Sequence, residues 1–179
     1  MIPLLLLAAL PPNLVEGARQ QLAWGTRYDP TYVRIAYPNG DVPRSQGVCT
    51  DVIVRAYRHT GIDLQKLIHE DIRRSPASYP RVKKRDRNID HRRVPNQVAF
   101  FRRHGAALSN HGNWRPGDIV AWKLPNGRDH IGVLSDRLNG RKLPYVVHNI
   151  GPAPAEEDVL TAWTITGHFR YPAPLTLRT

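Results

Sequence analysis

A chain of 179 residues with 41% hydrophobic content is sized for one domain that buries a core without staples, and wholesale disorder does not fit it. A single cysteine excludes an intrachain disulfide and a multi-cysteine zinc site. The 26 Lys and Arg against 15 acids leave a formal net charge of +11, which favours polyanionic surroundings without choosing among nucleic acid, anionic lipid and acidic envelope polymer.

The chain opens Met1-Ile2-Pro3-Leu4-Leu5-Leu6-Leu7-Ala8-Ala9-Leu10, a run too short to span a bilayer as a helix. Residues 1–12 fit the apolar region and tail of a clipped or mis-started signal peptide, although no Lys or Arg precedes them; an apolar tail packed on the domain is the alternative. No later segment reads as transmembrane, and residues 13–179 form a single domain. Asn13 caps a short helix whose face carries Val15, Ala18 and Leu22. From Trp24 to Arg44 four aromatic side chains, Trp24, Tyr28, Tyr32 and Tyr37, lie among Pro and Gly, and Pro38-Asn39-Gly40-Asp41 is a turn.

Gln46-Gly47-Val48-Cys49-Thr50-Asp51 leads into a helix in which Val52, Ile53, Ala56 and Tyr57 share one face, ending before Gly61. Cys49 thus opens a helix, where unpaired N–H groups and the positive dipole end favour an anion, and a thiol there is expected to titrate below its free value of roughly 8.5. The plainer alternative is a buried thiol acting as a small hydrophobe. A second helical pattern covers 62–68. Residues 71–103 hold eleven Lys or Arg and three Asp, mostly in loop-like sequence; with only Tyr79 among them, a solvated basic face fits better than a nucleic-acid patch. Another helix runs from Pro95 to His104, with Val94, Val98 and Phe101 inward.

The second half turns to β-structure. Trp114-Arg115-Pro116-Gly117-Asp118 is a turn, and β-like runs follow at 119–124, 130–135, 145–150 and 163–171, separated by turns at 125–127 and 139–140. Helices first and an antiparallel sheet later make the fold class α+β. His130 and His148 lie inside these strands, where neighbouring strands can place them side by side on one face. A thiol nucleophile needs a base within hydrogen-bond reach and a third polar group to hold that base. A hydrogen-bonded core histidine is the competing meaning of each.

These residues carry a resemblance. Cys49 opening a helix, Pro116-Gly117-Asp118-Ile119-Val120, His130-Ile131-Gly132-Val133 and His148 together resemble the NlpC-type cysteine peptidases, papain-like enzymes of bacterial envelopes that cut cell-wall peptide bonds. More closely, Gly-Val-Cys-Thr-Asp (47–51), Asn-Ile-Asp-His-Arg-Arg-Val-Pro-Asn (88–96), the Pro-Gly-Asp and His-Ile-Gly strands and His-Asn-Ile-Gly (148–151) resemble the bacterial family of domain of unknown function 1287, over about residues 15–172. The resemblance implies a papain-like or NlpC-like fold, N-terminal helices on a small antiparallel sheet, with Cys49 as nucleophile, His130 as base and His148 orienting it. It implies a cysteine peptidase or amidase of the periplasm or secreted fraction, acting on peptidoglycan or another envelope polymer without metal or other cofactor.

Around that triad, Tyr37 lies in the loop where NlpC-type enzymes carry an upstream tyrosine, and Gln46 is a second oxyanion-donor candidate. The NlpC-type pattern is usually Asp-Cys-Ser-Gly, whereas Val48 precedes the cysteine here and Thr50-Asp51 follow. Asp51 either faces the substrate or caps the helix, the cap being favoured. Asn149 replaces His148 beside His130 only if the strand register shifts by one. Asp90, His91 and Arg92 either bind a substrate carboxylate or make a structural ion-pair turn. Two other functions compete: a non-catalytic envelope-binding module on the same fold, and a metal-dependent hydrolase using His91, His130, His148 and Asp118, for which no ligand spacing speaks.

Overall fold

The computed structural model describes residues 13–172, so the N-terminal run read as a signal peptide or tail lies outside the described residues. The fold is α+β, four helices on a five-stranded antiparallel sheet. Helix α1 (Leu14–Arg19) is capped by the Asn13 side chain, which accepts the Glu16 N–H at 2.8 Å. The chain then tightens into a 3-10 turn (Gln20–Ala23), which rotates the inward phase. Leu22, expected inside, is therefore 37% exposed, and Gln21 is buried in its place, donating to the carbonyls of Gly17 and Val52.

Two residues of β1 (Arg27–Tyr28) pair in parallel with β2 (Gln46–Gly47), bringing the aromatic loop against the segment that enters helix α2 (Cys49–His59). Helix α2 ends at Thr60, and Gly61 takes a φ of +83° that a side chain would resist. Helix α3 (Leu64–Arg74) starts on Asp63, whose carboxylate accepts the Lys66 N–H. It extends past the apolar pattern at 62–68 because Ile72 is buried and Arg73 and Arg74 complement its C-terminal end. After a loop and a 3-10 turn (Asp90–Arg92), helix α4 (Val94–Arg103) buries Val94, Phe100 and Phe101, while Val98 is only half-buried.

The sheet runs β6-β5-β4-β3-β7, from β3 (Ile119–Lys123), β4 (Asp129–Leu138), β5 (Pro144–His148), β6 (Ala155–Glu157) and β7 (Thr164–Phe169). Four of these correspond to the runs expected from sequence; β6 was not expected. Alternation along the strands divides two apolar clusters. Ile119, Ala121, Ile131, Val133 and Val147 pack with Cys49, Val52, Ile53, Ala56 and Phe101 on the helix side. Val120, Trp122, Leu134 and Val146 face the other way, against Leu160 and Trp163. Among the described residues no helix is long and apolar enough to cross a membrane.

Candidate active site

Cys49 is the first residue of α2 and is 8% exposed. The N–H groups of Ile131, Thr50 and Cys49 itself are directed at Sγ and favour a thiolate. Burial outweighs them and, with the Asp51 carboxylate nearby, pushes the thiol up to about 12. This corrects the expectation of a low-pKa thiol: the helix dipole is present, but removing the sulfur from water matters more. The Ile131 nitrogen directed at Sγ puts the sulfur on the helix side of β4, opposite the face that carries the His130 ring. Among the described residues no hydrogen bond joins Sγ to an imidazole ring.

His130 and His148 are brought together. Nε2 of His130 lies 2.8 Å from Nδ1 of His148, and Nε2 of His148 lies 2.9 Å from a carboxylate oxygen of Glu157 on β6. Gly132 makes the approach possible: a Cβ there would meet Val146 Cγ1 at 2.5 Å and His148 Cβ at 3.2 Å. Both rings lie on the outer face of the sheet, against the indoles of Trp122 and Trp163, the Trp163 centroid being 5.6 Å from His130 and 6.0 Å from His148. Burial drives His130 down to about 3, with His148 adding to the effect. Burial also lowers His148, against the pull of Glu157.

Neutral rings and one carboxylate fix the tautomers along this line. An ionised Glu157 only accepts, so His148 carries its proton on Nε2 and presents a lone pair at Nδ1. His130 must then donate Nε2–H to that lone pair, leaving its own Nδ1 unprotonated. That nitrogen hydrogen-bonds no described residue, and His130 as a whole is 2% exposed. The line Glu157–His148–His130 therefore ends in an unprotonated nitrogen on the outer face of the sheet, whereas Cys49 packs on the helix side.

The remaining sequence candidates divide. Asn149 points to the helix side, where its Nδ2 donates to the Gly47 carbonyl at 3.1 Å and its Oδ1 accepts the Gly151 N–H. It ties the end of β5 to the strand before Cys49 and is not beside His130. Asp51 is occupied on every side: it accepts the Val48 N–H at 2.7 Å and forms a two-point pair with Arg92 at 2.8 and 3.0 Å. The pair is buried, with 2% and 3% of the side chains exposed, so Arg92 is not free to take a substrate carboxylate. Asp90 accepts the Asp86 N–H, and its carbonyl takes Asn96 Nδ2. His91 is buried with an unpaired Nδ1, and burial lowers it to about 4. These three residues thus form a structural clamp between α2 and α4, the second of the two alternatives that the sequence left open for them.

Tyr37 packs edge-on against His69, with ring centroids 5.4 Å apart. The tyrosine near the thiol is Tyr28, delivered by the β1–β2 pairing: burial and the nearby Cys49 sulfur raise its phenol, and Arg128 opposes them. Gln46 Nε2 is enclosed and has no hydrogen-bond partner among the described residues. Asp118 is bound by His168 at 2.7 Å and by Arg170, away from the other members of the alternative metal set. Among the described residues no group of three or more His, Cys, Asp or Glu is placed to hold a metal ion. Glu157 and Tyr28 were missed. Glu157 sits in a three-residue strand just after Pro152 and Pro154, and only the adjacent acids Glu156-Glu157 in sequence hinted at it.

The family model described as "Domain of unknown function (DUF1287)" matches residues 15–171. The chain belongs to this family. A curated relative is the "Uncharacterized protein YijF" of Escherichia coli (strain K12), 47% identical over 180 residues, covering 91% of this chain and 88% of that protein. No solved structure matches.

Proposed function

We propose that this chain is a thiol hydrolase that cuts an amide bond, in bacterial cell-wall peptide, on a papain-like arrangement of the NlpC type. The observation that carries the reading is the Glu157–His148–His130 line, which leaves Nδ1 of His130 unprotonated, on the strand whose next residue, Ile131, directs its N–H at the Cys49 sulfur at the start of α2. Such a base, held by a third group, is what a weak thiol nucleophile requires.

The reaction follows from these parts. Nδ1 of His130 would take the thiol proton as Sγ bonds to the carbonyl carbon, a step that requires the His130 ring to swing from the outer face of the sheet to the sulfur. Burial penalises a thiolate or an imidazolium alone, but this transfer creates the two charges together, so each offsets the other. The developing oxyanion would be met by the Cys49 N–H at the helix start, and a donor already in place strongly stabilises such charge. His130 returns its proton to the departing amine nitrogen, the C–N bond breaks, and a thioester remains on Cys49. Water, deprotonated by His130, then releases the acid. His148 and Glu157 hold the tautomer throughout, and Tyr28 borders the thiol.

A cell-wall peptide substrate would be met in the periplasm or outside the cell, and on this reading the protein acts there. Cys49→Ala should abolish amide hydrolysis, as should His130→Ala, while a chelator leaves it intact. Loss of activity with chelator and persistence after Cys49→Ala would favour the metal-dependent alternative; no hydrolysis of any cell-wall peptide would favour a binding module.

A further inference from the structure

A cleft of about 380 Å³ opens between α4 and the β3–β4 hairpin, on residues the chemistry above does not use. Its lining includes Asp129, which immediately precedes His130, and the first turn of α4, which follows the Arg92 clamp. Two elements of the proposed site thus continue directly into the cleft lining.

Its charge is unbalanced. Arg81, Arg102 and Lys123 line the cleft, against one carboxylate, Asp129. Arg81 reaches Asp129 at 2.9 Å and Lys123 pairs with its other oxygen. Burial works to raise that carboxyl, but Lys123 and Arg81 outweigh it and hold it below the usual range. Arg102 donates to the Thr166 carbonyl and has no acid partner among the described residues. Three cations on one anion leave two positive charges, and exposed Lys83, Lys84, Arg85 and Arg87 extend the positive field along the adjoining loop. Val98 and Ala99, half-buried on α4, supply apolar lining.

A ligand matching this cleft carries more than one carboxylate on an aliphatic frame. Nucleic acid matches it poorly, because the one aromatic ring in the lining, Tyr79, is 1% exposed and offers no stacking face. We infer that the cleft binds the carboxylate-bearing portion of a peptide whose amide bond is presented to Cys49. This deepens the proposed hydrolase and rests on it.

The test is binding to the full-length Cys49→Ala protein, read by calorimetry and so independent of turnover. The probes are tri-glutamate, tri-glutamine, inorganic phosphate and a short single-stranded oligonucleotide. Tri-glutamate should bind more tightly than the other three and weaken as salt rises. Arg81→Ala and Arg102→Ala should each weaken it roughly three- to fivefold, the scale of an exposed ion pair. Asp129→Asn should tighten it by a similar factor, because it frees Arg81 and Lys123, and a damaged fold would not produce a gain. Equal binding of tri-glutamine, phosphate or the oligonucleotide, or weaker binding after Asp129→Asn, overturns the inference. Cleavage of wall peptide by the wild type without tri-glutamate binding sinks the cleft alone; binding without cleavage sinks the hydrolase alone.

Discussion

Exchanging Arg92 for methionine strands a carboxylate in the core. Arg92 makes two charge-assisted hydrogen bonds to Asp51, and both side chains are almost wholly removed from water. With the guanidinium gone, Asp51 retains one donor, the Val48 N–H. Removing one partner of a buried pair typically costs about 3–5 kcal/mol, because the remaining charge is desolvated and unpaired. For a domain of this size each kcal/mol shifts the melting temperature by roughly 2–4 °C, so Arg92→Met should melt about 10 °C below wild type. The double variant Asp51→Asn/Arg92→Met removes both charges while keeping an oxygen for the Val48 N–H, and should recover at least half of the loss. Thr50 Oγ1 also donates to the Arg92 carbonyl, so loosening this turn should displace the start of α2 and lower activity as well. Urea and thermal unfolding of the three proteins check this. If Arg92→Met lies within about 1 kcal/mol of wild type, or the double variant is less stable than the single, the clamp is not structural.

Stability should also fall in mild acid. His130 near 3 and His91 near 4 remain neutral in the fold, whereas the unfolded chain protonates them below about 6.5, so stability is lost as pH falls from there toward 4. Unfolding free energies from urea titrations at pH 7 and 5 should differ by roughly 2–4 kcal/mol, and a flat profile would contradict the buried neutral rings. Cys49, raised by burial, should react slowly with iodoacetamide at pH 7 in the free protein and rapidly once unfolded; fast labelling of the native state near pH 6 would show a thiolate at rest. Glu157→Ala should lower kcat about tenfold with little change in KM, whereas Glu157→Gln, which keeps an accepting oxygen, should retain most of the rate. Equal loss in both variants would mean that the charge, and not the tautomer, matters.

Local signals in the sequence were read correctly where they act locally. The Asn13 cap, the α2 face of Val52, Ile53 and Ala56, and the end of that helix before Gly61 follow from spacing and turn chemistry. So does the meeting of His130 and His148 on one sheet face, because strand alternation sets side-chain direction. What escaped is what tertiary contact decides. Tyr28 replaces Tyr37 near the thiol because of a two-residue parallel pairing between distant segments. Glu157 reaches His148 through a strand too short to announce itself. Gln21 replaces Leu22 because the helix tightens after Arg19. The thiol was misjudged because a dipole is visible in the sequence, whereas desolvation is known only once the core is assembled.

The central claim, amide hydrolysis by Cys49, is tested most directly by mass spectrometry of purified peptidoglycan digested with wild-type protein and with Cys49→Ala. The account predicts new peptide ends, each from one hydrolysed amide bond, with wild type and none with the variant. Identical products from both proteins, or no change in either digest, would contradict it.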